Sequence, residues 1–586
     1  MLPRLMATLV AAAALLGVSA KATFPQYEDP FEGGPPLSLG GDNGCRVVLF
    51  EEVSLVSYGQ VERARIDPAA ACPGDWDRVV VELTGAVAGV QYDRAGALWF
   101  AGVELLRVTT PEPDSDGIRW QVRRDVSDYR AIFQASANAT LAIPNTVDST
   151  YTGALNMSGA LHFSKANSGS DGPPPADAVF PLLDAASAAN PWGAMTLNTW
   201  TNSTFKLPRR DAIRGTLEIF ASGHACEEFW YTNVPDAYTN ATGMCGGGPY
   251  REILVLIDGT VVGAALPPPV IYTGGICPLL WRPLTGIYSF SVPPHRFDLA
   301  PVLGLLNDGR PHEFSVTVVG AESSWFIDPS LFLTWAEPET SPGPVYSGGV
   351  VSSSSSARIH TVPKGSASTG WAFATDTVSS FTVTGTLVSP SNVTTTSRTS
   401  GEAVSSNLNI VGDVAGVTTG ELLFTVRTDA GPNTKPAVSR RRFPYRVATT
   451  FVENADYMAI RGEVDYAVEA KEDGLSWRLA MATNATYNRS ATGYVFYDMD
   501  DAAVETFDAA GCYSQRLAAF DGAVVERLVD DRCEEHVLGT LCSRYDACAA
   551  PQVVGPDRAA AAALPGERRR PRLPPPGRTY RRKQGY

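Results

Sequence analysis

Short apolar or alternating segments, separated by turns, are the feature that most limits how this chain can fold. They recur between Cys45 and Glu337, for example in Arg78–Leu83 and Ala97–Ala101, and Gly, Pro and Asp residues separate them. Apolar residues that alternate with polar ones over such short stretches are typical of β-strands. Strands do not alternate regularly with long amphipathic helices, which argues against a doubly wound or barrel α/β fold. The sequence therefore predicts an all-β protein.

Turn residues between apolar runs indicate antiparallel pairing. Asp258-Gly259 divides the segment Arg251–Val262, and Asn307–Gly309 precedes the run Phe314–Val318. Such dipeptides favour tight hairpins. The 586 residues correspond to three or four domains at a prior of about 150 residues each. We expect two antiparallel sandwiches side by side, over residues 40–170 and 171–337.

Composition changes mark the remaining boundaries. Residues 338–370 hold a Pro-Gly-Pro motif and the run Ser352–Ser356, which is typical of a linker. Strand patterns resume after it, so we predict a further β-rich domain over residues 371–550. Residues 551–586 are rich in Ala, Pro and Arg, and we predict a disordered basic tail there.

The first residues and the acceptor sequons indicate export. Arg4 precedes the apolar run Leu9–Val18, and small residues then end at Ala20, so residues 1–20 are predicted to be a cleaved signal peptide. We expect the mature protein to be secreted, extracellular or vacuolar, with no membrane span. Seven Asn-x-Ser/Thr sites in turn-like settings are candidate glycosylation sites: Asn138, Asn156, Asn202, Asn240, Asn392, Asn484 and Asn488. Ser439–Arg442, in a loop-like setting, is a candidate site for nicking by a basic-site protease, although a solvated basic turn is an equal alternative.

The net charge of −15 makes nucleic acid an unlikely partner, because the protein's field repels phosphates.

The nine cysteines are expected to form disulfides in an oxidising compartment, and the odd number leaves at least one unpaired. Spacing does not fix the pairs. We predict Cys45 with Cys72, Cys245 with Cys277, and two pairs among the last four cysteines.

Common catalytic signatures are missing from the sequence. It contains no Gly-x-Ser-x-Gly, no His-Glu-x-x-His and no glycine loop followed by Lys-Ser/Thr, and its six histidines are dispersed. Cys533, His536 and Cys542 have spacing that could suit zinc, but disulfides are the favoured use in an exported protein. We therefore expect neither a metal nor another cofactor, and a hydrolase of this kind would depend on carboxylates.

Two segments place acids beside aromatic residues at predicted strand ends. One is Cys72–Arg78, which holds Asp77, and the other is Ser222–Trp230, which holds Glu227 and Glu228. If these ends meet between the two sandwiches, they enclose a pocket with opposed carboxylates that suits a sugar. The alternatives are a surface ion pair between Asp77 and its neighbour and a solvated edge at the two glutamates.

Several longer segments resemble the eukaryotic peptide N-glycosidase A family of glycoamidases. The similarity runs from about residue 45 to 340, is looser beyond 370, and is carried by Gln91–Arg107, Val147–Gly153, Cys226–Asn233 and Pro269–Gly286. A more distant resemblance to the bacterial peptide N-glycosidase F type is carried by Trp76–Arg78, Gly223–Ala225 and Cys226–Glu228.

The resemblance implies two eight-stranded jelly rolls with the active site at their junction. It also implies hydrolysis of the amide between asparagine and the first N-acetylglucosamine, with N-glycosylated peptides or unfolded glycoproteins as substrates. On this basis Asp77 is the primary catalytic acid and Glu228 the second, with Arg78 and His224 in the pocket. A third family acid has no match here, since the region falls near Asn145, with Asp148 the nearest carboxylate. Activity at acid pH is expected.

The same comparison makes Trp76, Trp230 and Trp281 candidate stacking surfaces for the sugar, with Arg282 beside them. Each tryptophan taken alone is better explained by core packing. The main alternative to an enzyme is a noncatalytic glycan-binding β-sandwich protein, an inactive relative that would bind the glycan without cutting it. A structural cell-surface β protein and a glycoside hydrolase are weaker alternatives.

Overall fold

The all-β prediction is confirmed by the computed structural model, in which antiparallel strands dominate. The structure describes residues 29–33, 37, 39, 44–113, 116–165, 175–197, 201–277, 281, 283–322, 324–336, 345–366, 370–412, 415–431, 435–453, 457–472, 475–490, 495–508, 513–520 and 523–531. The predicted signal peptide and the predicted basic tail lie outside these residues. Three units follow one another along the described chain.

The first sandwich packs a four-stranded sheet, in the order β1-β8-β3-β6, against a second sheet that contains β5-β4-β7-β2. Valines and leucines of β3 that point inward, such as Val79 and Leu83, are completely buried, as the alternating pattern requires. A short helix α1 (Pro68–Ala71) and a 3-10 helix (Ser127–Gln134) complete the unit. Its strands are β1 (Cys45–Leu55), β2 (Glu62–Ile66), β3 (Arg78–Val87), β4 (Ala95–Phe100), β5 (Val103–Thr109), β6 (Ile118–Asp125), β7 (Ala137–Ala142) and β8 (Leu155–Ser164).

The second sandwich also has two sheets, ordered β10-β18-β12-β16, with β9 on β18, and β11-β17-β13-β14. Its strands are β9 (Ala178–Pro181), β10 (Thr196–Leu197), β11 (Thr201–Phe205), β12 (Ala212–Gly223), β13 (Glu252–Ile257), β14 (Thr260–Ala265), β15 (Ser291–Val292), β16 (His295–Asp298), β17 (His312–Val319) and β18 (Trp325–Trp335). Short helices are α2 (Pro191–Met195), α3 (Thr239–Thr242) and α4 (Leu303–Leu306), with 3-10 turns at Ala185–Ser187, Ala225–Glu227, Trp230–Thr232, Asp236–Tyr238 and Ala300–Val302.

The predicted hairpin at Asp258-Gly259 is confirmed as the turn between β13 and β14. Ile257 pairs with Thr260 on either side of it. Asp258 and Gly259 both have positive φ, 49° and 75°, as a two-residue turn with the twist of the flanking strands requires. Both sandwiches are consistent with the jelly-roll arrangement that the family resemblance implied.

The two sandwiches are joined by a shared sheet and a buried arginine. Strand β15 of the second sandwich pairs with β5 of the first, with Ser291 opposite Val108. Arg107, on β5, is 1% exposed and is held in its own sandwich by Glu104 at 2.7 Å. Its Nη1 donates across the junction to the hydroxyl of Ser222 at 2.8 Å. A buried cation needs such partners, so these contacts fix how the sandwiches meet.

The third unit, here called the C-terminal sheet, is a ten-stranded antiparallel meander in chain order. Buried and exposed residues alternate along β21, so one face packs and the other meets solvent. The strands are β19 (Ser347–Ser366), β20 (Gly370–Val388), β21 (Thr394–Val411), β22 (Ala415–Asp429), β23 (Ala437–Glu453), β24 (Tyr457–Glu472), β25 (Leu475–Ser490), β26 (Val495–Asp508), β27 (Tyr513–Phe520) and β28 (Ala523–Asp531).

Two sequence expectations about this region differ from the structure. The serine run Ser352–Ser356, predicted to be linker, lies in edge strand β19 and pairs with β20, where threonine and valine residues complete the ladder. Small polar side chains are tolerated there because the strand is exposed. The predicted loop at Ser439–Arg442 is part of β23. Arg441 forms an ion pair with Glu472 at 2.8 Å, and Arg442 forms one with Glu469 at 2.9 Å. These ion pairs connect the segment to the neighbouring strand.

The buried face of the C-terminal sheet covers the second sandwich. The rings of Tyr231 and Tyr445 meet at 5.5 Å between centroids, and the amide of Asn407 donates to the backbone oxygen of Tyr231 at 2.9 Å. Ser379 donates to Glu252 at 2.9 Å in the same interface. The C-terminal sheet therefore packs against the segment that contains residues 226–233.

One predicted disulfide is confirmed and one is wrong. Cys45 and Cys72 are bonded. Cys245 is bonded to Cys226, 19 residues away, and Cys277 is buried without a disulfide. The turn after β12 brings Cys226 to Cys245, whereas the Sγ of Cys277 lies 3.5 Å from the backbone oxygen of Ile460 in the C-terminal sheet. The last four cysteines lie outside the described residues.

Most of the described acceptor asparagines are exposed, although several lie on strands and not in turns. Asn484 is partly buried, and the side chain of Asn488 lies outside the described part of the chain. The exposed sites are Asn138, Asn156, Asn202, Asn240 and Asn392. Among the described residues there is no helix with the length and apolarity needed to cross a membrane.

Candidate functional site

Asp77 and Glu228 lie far apart. Asp77 is exposed and directly precedes β3, whereas the loop that holds Asp93 follows the other end of that strand. Ten residues of β-strand span roughly 30 Å. Glu228 lies close enough to Asp93 for its charge to act on the Asp93 carboxyl. The structure therefore does not bring together the two predicted catalytic acids.

The neighbours of Asp77 are also at that distant end of β3. Arg78 pairs with Asp125 at 3.5 Å, and the indole nitrogen of Trp76 donates to the backbone oxygen of Cys72 at 3.0 Å. The two predicted pocket residues, Trp76 and Arg78, are thus committed to contacts within the first sandwich.

Three other carboxylates cluster at the junction: Asp93 after β3, Glu112 after β5 and Glu228 after β12. Burial raises the pKa of Asp93 well above its usual range, and the charges of Glu112 and Glu228 raise it further. The adjacent guanidinium of Arg94 acts in the opposite direction. Each sandwich thus contributes acids to one site.

Neighbouring residues anchor the Asp93 loop on both sides. The amide nitrogen of buried Gln91 donates to the backbone oxygen of Gly153 at 3.0 Å, and its oxygen accepts from Arg94 at 2.6 Å. The backbone nitrogen of Arg94 donates to the hydroxyl of Thr110 at 2.9 Å. Asp93 lies between these two fixed points, so its carboxylate is held at the end of the sheet.

A tight turn after β12 places Glu228. Ala225 has a φ of 55°, in the left-handed region that non-glycine residues rarely adopt. A Cβ on Gly223 would come within 2.4 Å of the backbone oxygen of Glu227, so only glycine fits at that position. The disulfide from Cys226 ties the turn to a second loop. The chain therefore reverses in a short space and presents Glu228 to the junction.

Glu227 does not lie at a solvated edge, as one interpretation of the sequence had it. It is 1% exposed and forms a two-point ion pair with Arg251, at 2.5 and 3.0 Å. The indole nitrogen of Trp325 donates to the same carboxylate at 2.7 Å. Glu227 is committed to these contacts and holds the backbone of the adjacent Glu228 in place.

Glu228, by contrast, is partly buried, and burial raises its pKa to about 7. Burial raises the pKa of Tyr272, and the charge of Glu228 raises it further, which indicates that this tyrosine lies near Glu228. The loop that carries Tyr272 is closed over the junction by Thr273, whose hydroxyl donates to the backbone oxygen of Thr110 at 2.7 Å. The two acids and this tyrosine thus lie close together at the junction.

His224 lies beside Tyr272. Its Nε2 is 2.8 Å from the hydroxyl of Ser222, and its ring stacks on Tyr272 with 6.3 Å between centroids. Burial and the charge of Arg107 lower the pKa of His224 to about 3. The ring is therefore neutral at any pH near neutrality, and the predicted pocket residue is in the site.

The predicted stacking tryptophans are in other places. Trp230 and Trp281 are each 3% exposed within the core of the second sandwich, and Arg282 lies outside the described residues. The aromatic surface beside Asp93 is formed instead by Tyr92 and Tyr151, which are partly exposed and meet at 5.5 Å between ring centroids.

Neither residue considered for a third acid serves as one. Asn145 is completely buried and donates to the backbone oxygen of Leu55 at 2.9 Å. Asp148 is exposed, and its pKa is lowered by the backbone N–H groups of Tyr151 and Thr150 in a local turn. Glu112 is the third carboxylate that the structure places with Asp93 and Glu228.

A sequence signal for Asp93 existed. Tyr92-Asp93-Arg94 repeats the order aromatic, Asp, Arg of Trp76–Arg78, and it too directly precedes a strand. It also lies inside the matching segment Gln91–Arg107.

Among the described residues, no group of three or more His, Cys, Asp or Glu side chains is arranged to hold a metal ion. The site offers two acids with raised pKa values, a guanidinium, a phenol and a neutral imidazole, which together can transfer protons and donate hydrogen bonds.

Comparison with known proteins gives a consistent result. Residues 35–340 match the family model of peptide N-acetyl-beta-D-glucosaminyl asparaginase amidase A. The chain is 33% identical over 348 residues to peptide-N4-(N-acetyl-beta-glucosaminyl)asparagine amidase A of Prunus dulcis, covering 54% of this chain and 59% of that relative. The chain thus spans less than two thirds of the relative's length.

Solved structures of two bacterial-type proteins are also similar. PNGF-II matches with 13% identity and a TM-score of 0.36 over 51% of this chain and 66% of its own. PNGase F, a glycosylasparaginase from Flavobacterium meningosepticum, matches with 13% identity and a TM-score of 0.34 over 51% of this chain and 97% of its own.

Proposed function

Because this chain belongs to the peptide N-acetyl-beta-D-glucosaminyl asparaginase amidase A family, we propose that it removes N-glycans from glycopeptides. The bond cut is the amide between the asparagine side chain and the first N-acetylglucosamine, which leaves aspartate in the peptide and releases a glycosylamine. The observation that supports this most directly is the proximity of Asp93 and Glu228, one from each sandwich, at the junction.

The two acids divide the proton transfers that amide hydrolysis needs. Asp93 takes a proton from the attacking water, because its raised pKa makes its ionised form a stronger base, and Arg94 opposes part of that rise. Burial alone dominates at Glu228 and favours its protonated form, so Glu228 gives a proton to the departing nitrogen. The water oxygen bonds to the amide carbon, the carbon–nitrogen bond breaks, and solvent returns the proton from Asp93 to Glu228.

We place Asp93, and not Asp77, in the primary role. Asp77 is exposed, and roughly the length of β3 separates it from Glu228, which is too far for both to act on one amide. Asp93 is likewise followed directly by an arginine, Arg94. It lies close enough to Glu112 and Glu228 for their charges to act on its carboxyl. In this proposal the segment Tyr92–Arg94 takes the role that the resemblance to the bacterial type had assigned to Trp76–Arg78.

We propose N-glycosylated peptides and unfolded glycoproteins as substrates, cleaved best below neutral pH, in the secretory pathway, outside the cell or in a vacuole. The amino-terminal sequence pattern, the two disulfides and the exposed acceptor asparagines support export. Expression in a eukaryotic host, with assay of the medium for a chain that shortens on enzymatic removal of glycans, tests the location.

Mass spectrometry of one glycopeptide after incubation in heavy-oxygen water tests the activity. We expect loss of the whole glycan together with one labelled oxygen in the new aspartate. Cleavage between the two core N-acetylglucosamines would instead identify a glycoside hydrolase, and binding without cleavage would identify a noncatalytic glycan-binding protein.

A further inference from the structure

Four side chains form a hydrogen-bonded row from the buried interior to the site. Glu104 holds Arg107 through two bonds of 2.7 Å. Arg107 Nη1 lies 2.8 Å from the Ser222 hydroxyl, and that hydroxyl lies 2.8 Å from His224 Nε2. Glu104, Arg107 and Ser222 are each at most 3% exposed. Nothing in the catalytic scheme above uses this row.

The chemistry of the row fixes which nitrogen of His224 carries a proton. A guanidinium only donates hydrogen bonds, so the oxygen of Ser222 must accept from Arg107. The hydroxyl oxygen can accept two hydrogen bonds, but its single hydrogen also needs an acceptor, and among the described residues Nε2 of His224 is the acceptor that the structure places beside it. The neutral ring then carries its proton on Nδ1. Nε2 is engaged by Ser222 and the residue as a whole is partly exposed, so Nδ1 is the ring nitrogen left to meet a substrate.

We propose that His224 donates a hydrogen bond from Nδ1 to the carbonyl oxygen of the amide under attack, and that Ser222 and Arg107 are positioning residues that fix its tautomer. This inference rests on the proposed function. His224 stacks on Tyr272, which lies near both Glu228 and Asp93, so the ring is beside the acids that act on the amide. A donor aimed at the oxygen that gains charge is the usual source of stabilisation in amide hydrolysis.

The surroundings keep this donor neutral. Arg107 is the charged group that acts on the ring, and Trp192, Phe326 and Tyr272 pack around it. Burial among these rings and the neighbouring cation both disfavour an imidazolium, and burial is the larger effect. A neutral donor does not supply or consume the proton that Asp93 and Glu228 exchange. The row therefore separates hydrogen-bond donation from proton transfer within one site.

Nitrogen NMR of the full chain labelled with ¹⁵N-histidine, without any substrate, tests the tautomer independently of the enzymatic activity. The His224→Gln variant identifies the signals. We expect protonated Nδ1 and unprotonated Nε2 from pH 5 to 8, and we expect Ser222→Ala, but not Ser222→Thr, to populate the other tautomer. A protonated Nε2 in the unmodified protein, or titration of His224 in this range, would overturn the inference.

Glycopeptide cleavage by two matched variants tests the role. The side-chain nitrogen of asparagine can take the place of Nδ1, whereas that of glutamine takes the place of Nε2. We expect His224→Gln to lower kcat about 100-fold or more with little change in KM, and His224→Asn to recover most of this loss. Ser222→Ala should cost roughly tenfold in kcat, with Ser222→Thr restoring it.

Several results would contradict this role. Glutamine that performs better than asparagine would show that Nδ1 is not the donor. A change confined to KM would show that His224 contacts a group whose charge does not change in the reaction. If neither the unmodified protein nor any variant cleaves glycopeptide, but NMR shows the expected tautomer, the proposed function fails and the tautomer assignment stands.

Discussion

Glu228 of the second sandwich lies close enough to Asp93 of the first for its charge to raise the pKa of the Asp93 carboxyl. The pair exists only because β5 and β15 share a sheet and Thr273 is bonded to Thr110 across the junction. The site is thus a property of two units docked in one orientation, and neither sandwich contains it alone.

Replacing either acid should abolish cleavage. We expect Asp93→Asn and Glu228→Gln each to lower kcat for a glycopeptide by about 100-fold or more, because each removes a proton-transfer group. Asp77→Asn is the matched control and should stay within about twofold of the unmodified protein. Cleavage rates with circular dichroism of each variant provide the measurement. A severe loss in Asp77→Asn alone would restore the original prediction for that residue.

Activity should fall as pH rises through about 7. Burial raises the pKa of Glu228 to about 7, so the protonated form that donates to the leaving nitrogen is lost above that value. Initial rates of glycopeptide cleavage between pH 4 and 9 measure the profile. An optimum above pH 8 would be incompatible with Glu228 as the acid.

Stability should be greater in acid than in alkali, and Glu32 should contribute to the difference. Its carboxylate accepts the backbone N–H of Phe290 at 2.6 Å, and burial raises its pKa from 4.5 to about 7. The folded pKa exceeds the unfolded one, so the folded state binds more protons between these values, and stability falls as pH rises from about 4.5 through 7.

The Glu32→Gln variant tests this contribution. Thermal unfolding at pH 5 and pH 8 should show a smaller difference in Tm for the variant than for the unmodified protein. Equal Tm differences between pH 5 and pH 8 in the variant and in the unmodified protein would show that Glu32 does not contribute to the pH dependence of stability.

Glu227→Ala should destabilise the protein by about 3–5 kcal/mol, because it leaves Arg251 buried without its partner. An exposed glutamate would cost about 0.5 kcal/mol or less. Denaturant unfolding measures the difference, with Glu313→Ala, an exposed glutamate of the same sandwich, as the control. Similar midpoints for the two variants would contradict a buried ion pair at Glu227.

Local pattern in the sequence determined the strands and the hairpin at Asp258-Gly259. In each case the interacting residues are close in sequence, or the alternation of apolar side chains indicates which face is buried. The family resemblance was likewise carried by contiguous segments, and it selected Glu228 and His224, which the structure places in one site.

Only the tertiary structure distinguished Asp93 from Asp77, since each follows an aromatic residue and precedes an arginine. It also paired Cys226 with Cys245 and buried Glu227 against Arg251. The pair of acids depends on which strand ends meet across the junction, whereas the disulfide and the ion pair depend on how the loops of the second sandwich fold together. Both are set by sheet order, by the path of the loops and by the docking of whole units, and local sequence pattern carries no information about these.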